Sequence, residues 1–114
     1  MYSITNGLLS TTSVSKSPVK LSGPGSPSVS SNGATNGIVW IMEPYVSGSA
    51  ILRAYDATNL SIELYDSDQA GNRDKPGVGT KFAVPTIANG KVYIATNTEL
   101  DAYGLLPSEQ RSTR

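Results

Sequence analysis

An acidic segment in the middle of the chain offers oxygen atoms that could bind a cation. Residues 66–74 have the sequence DSDQAGNRD, which places Asp66, Asp68 and Asp74 close together. Such carboxylates, with Asn72 and backbone carbonyls, suit a hard ion such as calcium. The spacing is not that of an EF-hand, because the glycine and the closing glutamate are misplaced. A solvated turn between two strands explains the same residues, and we favour the turn. Calcium or another divalent cation stays the one cofactor to consider.

Three further carboxylates, Glu43, Glu99 and Asp101, stand near the ends of predicted strands. If these strand ends met around the mouth of a channel, the carboxylates would raise one another's pKa values. They could then bind a metal or act as acid and base. Ordinary exposed charge explains them equally simply, and we favour it.

Composition excludes several kinds of chemistry. The chain of 114 residues has no cysteine and no histidine, so disulfides, thiolate sites and a Ser-His-Asp triad within one chain are absent. Nine basic residues balance nine acidic ones, and no basic run indicates nucleic acid as a partner. No apolar run approaches the ~20 residues that cross a bilayer. The first residues lack the charged and long apolar regions of a secretion signal.

The pattern of apolar residues predicts many short strands and no helix. Runs rich in β-branched and aromatic residues alternate with clusters of Gly, Ser, Asn and Pro. The predicted strands are Ile38–Met42, Ile51–Tyr55, Ile62–Tyr65, Phe82–Ile87, Val92–Ala95 and Leu100–Leu105. Turns are predicted at the Asn-Gly pairs 32–33, 36–37 and 89–90, since Asn and Gly tolerate a positive φ. The fold class is therefore all-β.

The chain repeats itself. Residues 27–33 match 85–90, residues 37–41 match 90–94, and residues 52–59 match 100–107, in the same order. Residues 2–9 match 55–61 as a third, partial copy. One unit holds four strands, which is typical of a β-propeller blade of ~40–50 residues. A small β-sandwich with recurring turns is the alternative, and the ordered agreement favours the propeller. The repeat aligns Arg53 with Asp101, so an ion pair between neighbouring units is expected to be weak but feasible.

Four aromatic residues recur at fixed places in the repeat: Trp40, Tyr55, Tyr93 and Tyr103. We interpret them as packing between units, where a ring fills the layer and a polar atom finds a partner. Trp40 is accordingly expected to be largely buried. The alternative is a stacking platform for a sugar. Tyr45 and Tyr65 lie outside the shared blocks and are the better candidates for exposed contacts.

These blocks resemble the C-terminal blades of bacterial β-propellers in the quinoprotein (PQQ) dehydrogenase-like superfamily. The shared signature, G-x-V-Y-x-x-T…L-x-A-Y, falls on Gly90, Val92, Tyr93, Thr96, Leu100, Ala102 and Tyr103. The resemblance covers Tyr2 to Pro107 and implies a propeller fold and a parent family that is secreted. It does not imply a bound quinone, because the residues that would hold it are not recognisable. The vicinal disulfide of many such dehydrogenases needs cysteine, which this chain lacks.

The repeat predicts one propeller fragment over residues 1–114, circularly permuted within its third strand. Residues 1–16 would be the end of one blade, 17–75 a full blade, 76–107 the first three strands of the next, and 108–114 a disordered tail. The strand near Leu8–Val14 would complete the blade that ends at Leu106, most simply on a neighbouring chain. A homo-trimer of six blades is preferred over a homo-tetramer of eight.

No catalytic set is visible in the sequence, which favours a structural or interaction module that self-assembles into a symmetric ring. An enzyme is one alternative, hydrolase-like and metal-dependent, with a site at the centre of the oligomer or the channel mouth. A carbohydrate-binding propeller is another. Fold-level resemblance does not choose among them, because propellers host unrelated functions.

Overall fold

The computed structural model describes residues 1–46 and 48–108, except for the side chains of Tyr45 and Val46. The exposed contact predicted for Tyr45 falls outside this description. So does the disordered tail predicted for residues 108–114, apart from Ser108.

Nine strands form three small antiparallel sheets, and the described residues contain no α-helix. The all-β prediction is therefore confirmed. A two-stranded hairpin is followed by a four-stranded sheet in the order β3-β4-β5-β6 and a three-stranded sheet in the order β7-β8-β9. The strands are β1 Ile4–Thr5, β2 Leu8–Leu9, β3 Ser28–Asn32, β4 Thr35–Val46, β5 Ser49–Asp56, β6 Glu63–Asp66, β7 Thr86–Ala88, β8 Lys91–Ala95 and β9 Leu100–Tyr103.

The hairpin of β1 and β2 turns at Asn6 and Gly7, whose φ angles are 51° and 78°. Two consecutive positive φ angles match the right-handed twist of the flanking strands, which is why this dipeptide makes a tight hairpin. Pairing continues beyond the two short strands. Ser10 N donates to Ser3 O at 2.8 Å, and Val14 N donates to Met1 O at 2.9 Å. Of the strand predicted near Leu8–Val14, only Leu8–Leu9 is regular, and the chain bends between Ser10 and Val14, whose N–H groups are held by residues 1–3.

The repeat in the sequence recurs as the same strand register in the two larger sheets. Residues that align in the sequence occupy the same places in the two ladders. In the four-stranded sheet these pairs are Ser28↔Trp40, Val29↔Val39, Val39↔Tyr55, Trp40↔Ala54, Ile41↔Arg53 and Met42↔Leu52. In the three-stranded sheet the corresponding pairs, in the same order, are Thr86↔Tyr93, Ile87↔Val92, Val92↔Tyr103, Tyr93↔Ala102, Ile94↔Asp101 and Ala95↔Leu100. A one-residue slip would turn every side chain to the other face, so this agreement fixes corresponding faces in the two sheets.

One predicted strand is largely wrong. The sequence predicts a strand over the whole run Phe82–Ile87, but β7 begins only at Thr86. Phe82 has a φ of 64° and lies 81% exposed, and Pro85 has no N–H with which to join a ladder. The apolar composition of this run therefore does not make a strand before Thr86.

Each sheet has two faces, which we call front and back. In the four-stranded sheet Val39, Ile41 and Tyr55 mark the front, and Trp40, Met42 and Ala54 mark the back, since successive side chains alternate. By register, Val92, Ile94 and Tyr103 mark the front of the three-stranded sheet. The core lies where the back of the first sheet packs on the front of the second. Its buried members are Met42, Ala50, Leu52, Val92 and Ile94.

A segment preceding β3, residues 15–26, covers the front of the four-stranded sheet. Ser22 N donates to Glu43 Oε1 at 2.7 Å, and Leu60 N donates to Ser15 Oγ at 3.1 Å. A Cβ on Gly25 would stand 2.6 Å from Ile41 Cγ1, so only glycine allows this close approach. Composition alone suggests a flexible linker here, whereas the structure makes the segment a cover. We call it the strap.

Leu52 tests the intersheet core directly. It is fully buried, so Leu52→Ala should lower the free energy of unfolding by about 2–5 kcal/mol. Leu64→Ala is the matched control, because Leu64 lies 46% exposed and its loss should be much smaller. Urea unfolding of both variants measures the difference. Equal losses would mean that the interface between the sheets does not carry the core.

Candidate interaction site at the edge of the three-stranded sheet

The outer edge of β9 carries main-chain groups that pair with no strand among the described residues. Thr96 N donates to Glu99 O at 2.9 Å on the β8 side. Main-chain groups of successive residues point to opposite edges of a strand, so those of Leu100 and Ala102 point away from β8. In the four-stranded sheet the corresponding edge of β5 is paired with β6. The three-stranded sheet therefore offers an open edge at the place where the other sheet has its fourth strand.

A cleft of about 740 Å³ lies along this open edge. One wall belongs to the four-stranded sheet, through Trp40 and Tyr65, and the opposite wall runs along β9 and the residues that follow it, 101–106. Residues 73–75, between β6 and β7, also line it. The cleft is therefore bounded by both sheets and opens beside the unpaired edge.

Asp74 fixes the orientation of two tyrosines in this cleft. Tyr65 OH donates to Asp74 Oδ2 at 2.9 Å, and Tyr103 OH donates to the main-chain oxygen of Asp74 at 2.9 Å. Arg73 donates to both carboxylate oxygens, at 2.6 and 2.9 Å. The hydrogen bonds from Arg73 are the main reason that the pKa of Asp74 is lowered. Burial raises the pKa values of Tyr65 and Tyr103 well above their usual range, so both phenols are neutral donors.

An ion-pair network lies on the front of the four-stranded sheet. Arg53 Nε donates to Glu43 Oε2 and its Nη1 to Glu63 Oε1, both at 2.8 Å. The ion pair expected between Arg53 and Asp101 is therefore wrong, because both acidic partners of Arg53 belong to its own sheet. Asp101 Oδ2 instead accepts a long hydrogen bond of 3.4 Å from Gly77 N. Burial alone would raise the pKa of Glu43, but hydrogen bonds from Arg53 and Ser22 outweigh it and lower that pKa.

Tyr55 lies beside this network with an unusual environment for a phenol. It is 3% exposed, and its hydroxyl has no hydrogen-bond partner among the described residues. Burial raises the pKa of Tyr55 to about 12, and the nearby Glu63 carboxylate adds to the shift. The equivalent residue in the other sheet, Tyr103, does have a partner, the main-chain oxygen of Asp74. The front of the four-stranded sheet is thus closely packed, but this one hydroxyl group on it has no hydrogen-bond partner among the described residues.

Two of the three acidic residues predicted as cation ligands, Asp66 and Asp74, have other partners for their carboxylates. Asp66 Oδ1 accepts hydrogen bonds from the main-chain N–H groups of Asp68 and Gln69, both at 3.0 Å, which is the geometry of a turn. Asp74 is bonded to Arg73 and Tyr65. Within residues 1–46 and 48–108, no group of three or more acidic side chains lies close enough to hold a metal ion.

The candidates for a channel mouth and for packing are spread over different environments. Glu43 is buried in the ion-pair network, Glu99 is exposed, and Asp101 is half-buried at the cleft. Trp40 is half-buried against the core rather than fully buried, and its Nε1 donates to Ser30 Oγ at 2.9 Å. Tyr93 is half-buried on the back of the three-stranded sheet. The sequence did not reveal the roles of Arg53, Glu63 and Asp74, whose partners come from other strands and linkers.

Comparisons with known proteins give no relative. No family model matches the chain, no curated protein matches it, and no solved structure matches it. Among the described residues, no helix has the length and apolar character needed to cross a bilayer. The function therefore has to be inferred from the geometry of the chain itself.

The buried ion pairs predict a pH-dependent defect. Arg53→Met leaves Glu43 buried without its cation, which should cost about 3–5 kcal/mol near neutral pH. In the parent protein the lowered pKa of Glu43 contributes stability above its ordinary value of 4.5, and that contribution is lost as the pH falls. In the variant burial raises the pKa of Glu43, so acid should relieve the defect.

Urea unfolding of the parent and of Arg53→Met at about pH 7 and about pH 5 measures this relief. Arg53→Met combined with Glu43→Gln is the control, since it removes the buried charge and should recover part of the loss near neutral pH. An equal loss for the single variant at both pH values would contradict the assignment.

Proposed function

We propose that this chain is an interaction module that assembles with copies of itself, and that its sheets are blades of a ring closed by strand exchange. The observation that carries the proposal is the unpaired outer edge of β9 in a chain that also has a surplus hairpin of matching pattern. Residues 2–9 repeat residues 55–61, which form the end of β5 and the turn toward β6. The chain therefore holds both halves of the same contact.

Exposed apolar side chains lie on both halves. Ile4, Leu8 and Leu9 in the hairpin are 71%, 76% and 62% exposed. Near the open edge, Leu100 is 70% and Leu105 87% exposed. A bare strand edge flanked by apolar side chains promotes association, and pairing with a second copy satisfies it.

The packing of the two sheets supports a head-to-tail assembly. The back of one sheet packs on the front of the next, and the faces correspond through the repeat. The same contact made again between chains joins unlike surfaces, and such contacts close into a ring when the rotation permits. Three copies would give six sheets and four copies eight, both within the usual range of about four to eight blades. The trimer is the first choice.

The first test is the mass of the protein in solution. Size-exclusion chromatography with light scattering should give about three times the 12.0 kDa of one chain, or four times for the tetramer. Ala102→Pro should leave a folded monomer. Proline removes the N–H that points outward from β9, while the pairing of β9 with β8 keeps its own hydrogen bonds.

Ala102→Ser is the matched control and should assemble like the parent, because it keeps the N–H. Circular dichroism checks that the proline variant retains its β-sheet signal. A parent protein that is a monomer of 12.0 kDa at all concentrations contradicts the proposal. So does a proline variant that assembles as well as the parent.

A further inference from the structure

We infer the register of the exchanged strand: on the open edge of β9, Ala102 of one copy lies opposite a bulge formed by Val14 and Ser15 of a second copy, and Asp101 lies opposite Lys16. In that position Ala102 takes the place that Met1 of the second copy holds in the isolated hairpin. The inference rests on the proposed self-assembly, and it adds which residues meet and which must give way.

The register follows from comparing the hairpin with the complete sheet. The repeat aligns Tyr2 with Tyr55, so Met1 corresponds to Ala54. Ala54 lies opposite Tyr65 in β6, and the next pair is Arg53 with Asp66. Met1 likewise faces Val14, because Val14 N donates to Met1 O at 2.9 Å and Met1 N donates to Ser15 O at 2.7 Å. Met1 is thus bonded to two successive residues, so Val14 and Ser15 face it together as a bulge, in the place that Tyr65 holds opposite Ala54.

The open edge supplies the other side of the pairing. Ala102 corresponds to Ala54 by ladder position, since Tyr93↔Ala102 matches Trp40↔Ala54. Its main-chain N–H and C=O point outward, as the bond between Thr96 N and Glu99 O requires. These two groups can make with Val14 N and Ser15 O the bonds that Met1 makes in the hairpin. β9 of one copy and residues 3–5 of another then form one composite strand.

The exchange displaces little. Met1 and Tyr2 are 38% and 52% exposed, so moving them uncovers a small apolar area. Met1 makes the two hydrogen bonds to Val14 and Ser15, one of them through its terminal ammonium, and two main-chain hydrogen bonds of Ala102 replace them, so the number of hydrogen bonds is unchanged. Tyr103, in contrast, stays in place through its bond to Asp74 O. In the exchange β9 therefore keeps its position, and residues 1–2 of the second copy move.

Charge favours the same register. One residue beyond the bulge, Lys16 would lie opposite Asp101, with both side chains on the same face of the sheet. Opposite charges on facing strands stabilise a pairing, and like charges oppose it. A shift by one residue would also turn Val14 to the other face of the sheet, away from the side that Tyr65 occupies in the complete sheet. The register thus agrees with both the charges and the alternation of faces.

A disulfide between copies tests the register, and the chain has no cysteine of its own to interfere. Val14→Cys with Ala102→Cys places two exposed positions opposite each other, where facing Cβ atoms lie about 5 Å apart, close enough for a disulfide after a small adjustment. Leu8→Cys with Ala102→Cys is the control. Leu8 faces Thr5 whereas Val14 faces Met1, so the two positions lie about 13 Å apart along the edge.

After mild oxidation, non-reducing electrophoresis should show multiples of the chain mass for the Val14 pair. We expect at least about tenfold more of this product than for the Leu8 pair, because only the assembled register brings the thiols together. A disulfide within one chain keeps the mass of 12.0 kDa and counts against the inference.

The solution mass of the parent separates the two proposals. If the parent assembles but the two cysteine pairs cross-link equally, the register is wrong and the self-assembly stands. If the parent does not assemble, both are overturned. If the Val14 pair cross-links selectively into the same multiples that light scattering reports for the parent, both are supported.

Discussion

Packing between the back of one sheet and the front of the next is the interaction on which the rest of this structure depends. Two sheets of four and three short strands each have one side that a single layer cannot cover. Met42 and Leu52 from the first sheet and Ile94 from the second are almost fully buried where they meet. Burial of such side chains contributes about 1.5–3 kcal/mol each, and no disulfide assists them because the chain has no cysteine. Because the two faces are unlike, the contact has a direction and can be repeated.

The polar groups explain how the front of a sheet can carry charge and still be buried. Arg53 neutralises Glu43 and Glu63 within the sheet, and the strap adds the Ser22 N–H to Glu43. In the other sheet the linker before β7 has the same place, with Gly77 and Asp74 bonded to Asp101 and Tyr103. Each linker thus seals the front of the sheet that follows it. Among the described residues, the hydroxyl of Tyr55 is the one buried side-chain polar group that has no hydrogen-bond partner.

Much of the fold could be predicted from the sequence, because short-range rules decide it. Short apolar runs between turn residues predict β5 and β8, the Asn89-Gly90 turn has the positive φ angles that its residues favour, and the repeat predicts the common register. The contacts of the candidate site could not be predicted as well from the sequence. Arg53 pairs with Glu43 rather than with Asp101, because Glu43 lies on the neighbouring strand β4 and Asp101 lies in the other sheet. This proximity is visible only in the three-dimensional structure. The strand predicted from Phe82 onward is wrong at its start, because this apolar residue has a positive φ and lies in an exposed loop.

The central claim is that the outer edge of β9 is paired in the assembled protein, and residue-resolved hydrogen exchange measures this directly. The amides of Asp101 and Tyr103 point toward β8 and should be protected at every protein concentration, so they serve as an internal reference. The amides of Leu100 and Ala102 point outward. They should be protected at concentrations where the protein assembles and should exchange rapidly on dilution. Rapid exchange of Leu100 and Ala102 at concentrations that give the full oligomer mass would contradict the account.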